Sequence, residues 1–423
     1  MSEGAGLRIL VVLPLYGGSL TVGRYSVRAL KEMGHVVRVF EAPDFYTAYG
    51  AFKNLQIGSD RLEYLENSFL SVVSQAVAAQ AEAFSPDLVL AMAQAPLSRQ
   101  VLSRFRREGI PTAMWFVEDY RLFTYWRAFA PLYDFFAVIQ GEDFLDELYR
   151  MGCDNVLYLP LAADPSFHRP MDLTPVEQRR FGAELSFMGA GYPNRRTAFR
   201  RLTGYDFKIW GSEWEDEPAL EPYLQMGGAR VSPEDCVKIF NATEVNLNLH
   251  SSIDPKKPVP QGDFVNPRTF ELAACEAFQL VDERSLLEDM FEADEMVTFT
   301  SMDELEEKIG HFLSRPEERV EYARRARERV LRDHTYVNRM QALIDFVSSR
   351  LPEWPVRRSA REKGYEDFPP ELKEKMFNLL SELELPPDTN FDDLVTAIRG
   401  RQGRLSDIET AVLFLDEWRK QYG

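Results

Sequence analysis

Short apolar runs recur along the first three-quarters of the chain, each followed by a longer stretch whose apolar residues fall at helical spacing. The first series reads RILVVLP (8–14), HVVRVF (35–40), DLVLAMA (87–93), TAMWFVED (112–119), DFFAVIQ (134–140) and NVLYLPL (155–161), with helical patterns over 23–33, 61–84, 96–107 and 142–151. After a polar, proline-containing segment (164–181) comes a second series: ELSFMG (184–189), DFKIWG (206–211), EVNLNLH (244–250), FQLVD (278–282) and EMVTF (295–299), with helical patterns over 194–202, 233–241, 267–277 and 302–313. Apolar strands alternating with amphipathic helices predict parallel sheets covered on both faces. The expected fold class is α/β, with two tandem Rossmann-like, doubly wound domains over 1–165 and 182–350. The default ligand site is the cleft between them, at the carboxyl ends of the strands. A long helical region follows Pro316 to about Leu351. Beyond Pro352 lies a helical C-terminal extension (352–423), with patterns over 370–383, 392–398 and 405–422, which could dock on the domains or bind a protein partner.

Composition narrows the chemistry. A length of 423 residues suits two domains of ordinary size and an appendage. A net charge of −18 argues against a nucleic-acid backbone as the main partner and against electrostatic docking on an anionic membrane. The apolar run 9–13 is interrupted by Pro14, too short for a signal-peptide core or a transmembrane segment, so a cytoplasmic location is expected. Three separated cysteines, Cys153, Cys236 and Cys275, and five histidines offer no metal-ligand spacing; no metal is expected.

Four constellations stand at the ends of predicted strands. Gly17 and Gly18 follow the first strand in LPLYGGS, which is not G-x-G-x-x-G, so a nicotinamide dehydrogenase is disfavoured. Their two readings are a plain turn and close approach of a ligand to backbone N–H groups. The matching turn of the second series, FMGAGYPNRRTAF (187–199), sets Gly189 and Gly191 before Asn194 and Arg195: a plausible diphosphate cradle, or a capped helix with solvated arginines. The stretch FVNPRTFELAACEAF (264–278) starts a helix with Asn266 as N-cap and Pro267 at the first position. Arg268 and Glu271 there are either an i,i+3 surface pair or a ligand site, with an anion over the helix N-terminus and a hydroxyl-bearing group on Glu271. Strand, long loop and capped helix also bring His250 to the same sheet edge. Finally, Glu118 and Asp119 end a strand in MWFVEDYRLFTYW, where acids beside aromatic rings suit a sugar-like ligand.

Together these segments resemble the bacterial spore-maturation-type (CgeB-like) glycosyltransferase family of the GT-B superfamily. The resemblance rests on N-P-R-T-F-E (266–271) through Ala274-Cys275, Leu280-Val281-Asp282, Asp303-Glu304-Leu305, Arg315-Pro316-Glu317, H-T-Y (334–336) with Arg339, W-F-V-E-D (115–119), Tyr133-Asp134, L-P-L-A-A-D-P (159–165) and the GYPNR turn. It covers roughly residues 8–350. Two positions depart from it: Glu276 stands where the family usually has glycine, and the glutamate pair eight residues apart reads Asp263 and Glu271. The resemblance implies a GT-B-like fold and transfer of a sugar from a nucleotide-sugar donor, itself a substrate, to a glycan, protein or small-molecule acceptor. No cofactor and no metal are implied. It places Glu271 on the ribose hydroxyls and Arg268 and Arg195 on the diphosphate, with Gly189, Gly191, Asn194, Asn266 and Asp263 completing the donor side. The acceptor is expected near Gly17, Gly18, Glu118 and Asp119, with Asp119, Glu118 or His250 as base. A nucleotide-sugar epimerase and a non-catalytic nucleotide-sugar or glycan-binding protein are the alternatives.

Overall fold

In the computed structural model, which describes residues 6–355 except 216 and 368–422 except 384, 388, 390 and 402, the predicted alternation closes into two parallel sheets. The first half comprises β1 (Arg8–Val12), α1 (Gly18–Glu32), β2 (Val36–Phe40), α2 (Tyr46–Ala51), α3 (Ser59–Phe84), β3 (Leu88–Met92), α4 (Arg99–Glu108), β4 (Thr112–Phe116), α5 (Trp126–Phe129), β5 (Phe135–Val138), α6 (Glu142–Arg150) and β6 (Val156–Tyr158). The second comprises α7 (Pro175–Phe181), β7 (Ala183–Met188), α8 (Pro193–Phe199), β8 (Phe207–Trp210), α9 (Pro233–Ala242), β9 (Thr243–Asn248), α10 (Pro267–Ala274), β10 (Gln279–Asp282), β11 (Val297–Phe299), α11 (Met302–Leu313), α12 (Pro316–Asp333) and α13 (Tyr336–Arg350). Helices α14 (Pro370–Glu382), α15 (Phe391–Gly400) and α16 (Asp407–Tyr422) form the C-terminal extension, of which 356–367 lie outside the described residues.

The sheets have the orders β2-β1-β3-β4-β5-β6 and β11-β10-β9-β7-β8. Strands β3 and β4 are buried at every position, as a sheet covered on both faces requires. Each order reverses once, between β1 and β3 and between β7 and β9. These are the switch points where helices on opposite faces diverge and leave a crevice at the carboxyl ends of the strands.

The long helical region after Pro316 is two helices. Thr335 leaves helical geometry and caps α13 through a reciprocal pair with Asn338. From this break the chain crosses back. Tyr336 lies between Trp115 and Tyr25 of the first half, and α13 packs along α1. Arg339 donates to the carbonyls of Pro160 and Leu161, tying the segment between the halves to α13. The H-T-Y-x-x-R motif is therefore a structural seam: His334 takes the remaining contacts, facing the Met290 carbonyl at 2.9 Å and Arg339 at 2.7 Å. The extension docks on the first half through Asp393, which pairs with Arg8 at 2.8 Å and with Arg38. Among the described residues no helix is long and apolar enough to cross a membrane.

Helix α10 ends earlier than its apolar pattern suggests, in a left-handed C-terminal motif. Ala277 N–H reaches the Leu272 carbonyl at 3.0 Å, Glu276 N–H reaches Ala273 at 3.0 Å, and Glu276 itself has φ +55°. A side chain in that conformation costs about 1 kcal/mol relative to glycine, and the Glu276–Arg327 contact at 3.7 Å offsets little of it. Glu276→Gly is accordingly expected to stabilise the protein by about 1 kcal/mol, read as a higher urea midpoint at unchanged slope. An unchanged or lower midpoint would show that the Arg327 pair carries more than its exposure suggests.

Candidate active site

The turn after β7 is built for close backbone approach. A Cβ on Gly191 would lie 2.1 Å from the Glu213 carbonyl oxygen and 2.8 Å from the Trp214 ring, so only glycine fits. One on Gly189 would meet the Phe187 ring at 3.0 Å. Two neighbours expected on the diphosphate have other work. The Arg195 guanidinium donates to the Leu249 carbonyl from two nitrogens, at 2.9 and 2.8 Å, and to Ala190 at 3.0 Å, and burial lowers its pKa to about 10. Three of its five N–H donors are thereby committed to backbone carbonyls across the β7–β9 switch point. Asn194 is fully buried and does not cap α8, whose N-cap is Tyr192. Its amide donates to His250 and Pro258 carbonyls and accepts Ser252 N–H at 2.8 Å, bracing the loop after β9. Arg195 and Asn194 thus hold the crevice together through backbone carbonyls and the loop after β9.

Helix α10 starts as its sequence dictates. Asn266 accepts Thr269 N–H at 3.2 Å, Pro267 takes the first position, and the Asn266 amide is anchored on Asn248 at 2.8 Å. Arg268 and Glu271 pair at 2.6 Å, but this is no surface pair. Glu271 is 8% exposed, and Arg268 lies over the Phe240 ring at 4.8 Å with a buried Nε that finds no acceptor. The other carboxylate oxygen faces His168 Nε2 at 3.8 Å, and His168 in turn faces the Tyr25 hydroxyl at 3.3 Å. His168 Nδ1 accepts Asp164 N–H at 3.1 Å, which places the ring proton on Nε2, toward Tyr25 and Glu271. Around this glutamate the structure therefore gathers α10, α1 and the segment between the halves.

His250 is fully enclosed. Its Nδ1 lies 2.6 Å from Asp282 Oδ1, which also accepts His250 N–H at 2.8 Å, while Nε2 accepts Asn266 N–H at 2.9 Å. With Nε2 accepting, Nδ1 carries the proton, and burial holds the imidazole below its ordinary value. Both nitrogens are spent, so His250 cannot serve as the base; it is a strut between β10 and the start of α10. Arg284, two residues past β10, is 3% exposed, stands 3.6 Å from Asp282 Oδ2, and has a buried Nε with no hydrogen-bond acceptor.

Across the cleft, Gly17 has φ +100° as it enters α1, and a Cβ on Gly17 or Gly18 would meet open space. Glu118 turns back into its own half: it accepts from the Tyr125 hydroxyl at 2.9 Å and from Gln94, and burial raises its pKa. Asp119 uses Oδ1 for Arg121 N–H at 2.8 Å, and its charge acts on Arg284 of the second half. Of the three candidate bases, Asp119 alone has a carboxylate oxygen, Oδ2, outside the hydrogen bonds described, and a charge that acts across the halves. Asp263 is also reassigned. Its oxygens accept Gly141 N–H and Phe264 N–H, both at 2.9 Å, so each oxygen is already engaged with backbone. Tyr25, His168 and Arg284 carried no sequence signal because none stands in a strand-end motif. Asp282, the last residue of β10, appeared only within the Leu280-Val281-Asp282 block, with no role attached.

Burial holds His35, His168, His250 and His334 below the ordinary imidazole value, His334 at about 4. The unfolded chain takes up these protons near pH 6.5 and the native state does not. The stability they contribute is therefore complete above about pH 6.5 and lost as pH falls below it. Urea unfolding is expected to show a lower stability at pH 5 than at pH 7.5; equal values would mean these rings titrate as in the unfolded chain.

Residues 195–345 match a family model described as glycosyl transferase-like. The spore protein CgeB of Bacillus subtilis (strain 168) is 25% identical over 252 residues, 57% of this chain and 77% of that protein. Among solved structures, HepE of Anabaena in complex with UDP and glucose superposes with a TM-score of 0.56 at 12% identity, covering 81% of this chain and 100% of that one. A chain from Listeria monocytogenes described as a UDP-N-acetylglucosamine 2-epimerase superposes with a TM-score of 0.51 at 10% identity, covering 82% and 98%. With its two doubly wound halves and a capped N-P-R-T-F-E helix at their cleft, the chain shares the fold of these structures, is similar in sequence to CgeB, and over residues 195–345 is similar to glycosyl transferase-like proteins.

Proposed function

We propose that the protein transfers a sugar from a nucleoside diphosphate sugar to a hydroxyl-bearing acceptor entering beside Gly17, Gly18 and Asp119. The observation that carries this reading is the juxtaposition at the start of α10. A capped helix N-terminus, the Arg268 guanidinium with an unused donor and the Glu271 carboxylate stand together at the edge of the second sheet. Glu271 would accept the ribose hydroxyls, displacing or sharing its bond to Arg268. Arg268 and the helix N-terminus would take the charge that develops on the leaving diphosphate. In this reading the transfer is metal-independent, with the charge carried by these groups. Asp119 would take the acceptor proton.

Uridine nucleotides are the first to test, since HepE holds UDP and glucose on the same fold. Calorimetry with nucleoside diphosphates and their sugars, in the presence of a chelator, should find one base that binds. Absence of any binding would sink the proposal, and binding only on adding a divalent cation would sink its metal-independent form. The Listeria neighbour keeps an epimerase in view; a changed sugar released from donor alone, without acceptor, would decide for it.

A further inference from the structure

Helix α6 begins after Gly141, which brings no side chain to the first turn. Its cap comes from the other half of the molecule. Asp263 Oδ2 accepts Gly141 N–H at 2.9 Å, while Oδ1 accepts Phe264 N–H at 2.9 Å and lies 3.4 Å from Gln140 Nε2. A Cβ at position 141 would be in ordinary van der Waals contact with the second half, 3.4 Å from Leu286 and 3.7 Å from the Asp263 carboxylate, so a branched side chain there would press on it. Behind it, Arg284 feels both Asp263 and, from the first half, Asp119. A carboxylate at a helix N-terminus satisfies an orphan N–H and opposes the positive end of the helix dipole. Here both benefits exist only while the halves touch.

We propose that Asp263 is a positioning residue that holds the cleft closed by capping α6 across it, fixing the distance between Asp119 and the start of α10. This also accounts for the shortened acid in the Asp263–Glu271 pair, because aspartate is a strong N-cap. The effect on turnover rests on the transferase reading above; the effect on shape does not.

The test compares wild type with Asp263→Ala, Asp263→Asn and Gly141→Val as full-length chains, by small-angle scattering with and without UDP and by turnover of UDP-glucose. Asparagine keeps one acceptor oxygen, enough for Gly141 N–H at the loss of the Phe264 bond, so Asp263→Asn should remain more closed than Asp263→Ala. Asp263→Ala removes the cap and Gly141→Val wedges the contact, so both should show a larger radius of gyration without nucleotide. Their kcat should fall about tenfold, the weight of a lost cap in an open–closed equilibrium, with a smaller change in KM. A wild-type radius of gyration for Asp263→Ala would overturn the proposal. So would an Asp263→Asn variant as impaired as Asp263→Ala, which would indicate a charge acting on substrate. Should no nucleotide bind at all, the scattering comparison of the Ala and Asn variants still decides the cap, and the failure belongs to the transferase reading.

Discussion

Glu271→Ala is expected to weaken nucleoside diphosphate sugar binding by about tenfold or more, since a hydrogen bond to a charged acceptor is worth about 1.5–3 kcal/mol and a ribose diol offers two. The local geometry makes this a demanding test. Removing the carboxylate frees the Arg268 nitrogen now held at 2.6 Å, and a freed guanidinium should strengthen its hold on phosphate. A net loss therefore means that the ribose contact outweighs that gain. Glu271→Gln, which keeps an acceptor but removes the charge, should fall between wild type and alanine. Comparing UDP with inorganic pyrophosphate separates the two contributions. The alanine variant should lose affinity for UDP while its affinity for pyrophosphate holds or rises. If UDP binds the alanine variant as well as wild type, the pair is only a buried helix-start contact, and the donor site lies elsewhere in the cleft.

The second large effect is on stability. Asp282→Ala should lower the unfolding free energy by about 3–5 kcal/mol, the usual result of removing one member of a buried charged pair. Asp282 is fully buried and serves three groups: His250 N–H, His250 Nδ1 and, at 3.6 Å, Arg284. Without it an imidazole N–H is left enclosed with no acceptor, and the Arg284 guanidinium keeps only the Pro260 carbonyl at 3.3 Å. Asp282→Asn can still accept one His250 hydrogen bond but leaves Arg284 uncompensated, so it should lose less. Denaturant unfolding at pH 7.5, where the histidines are neutral in both states, gives the cleanest value. A loss below about 1 kcal/mol would mean that water reaches this network. Because His250 also accepts Asn266 N–H, the same variant should weaken nucleotide binding by loosening the start of α10.

What could be read along the chain was what depends on near neighbours. The alternation of apolar runs and helical patterns set the class and the two series of strands, because parallel strands buried on both faces must be apolar throughout. Asn266 and Pro267 marked the start of α10 because capping is local chemistry between residues three apart. The HTY segment, in contrast, was legible as a motif but not as a seam. Thr335 and Asn338 form a local capping box, yet the partners of Arg339 are the Pro160 and Leu161 carbonyls, 179 and 178 residues away.

The candidate site divides the same way. The sequence alone placed arginines, acids and glycines at strand ends, and so determined which chemistry could assemble at the cleft. Tertiary structure decided which of those groups are free. Arg195 and Arg268 look alike as residues opening helices, but one faces carbonyls across the β7–β9 crevice while the other keeps an unused donor. His250 looks like a site residue until Asp282 and Asn266 arrive from other elements and use both its ring nitrogens, while Asp263 turns out to be engaged by Gly141 of the other half. The physical reason is that a buried polar group must be satisfied, and which partner satisfies it depends on which backbone segments the fold brings within about 3 Å.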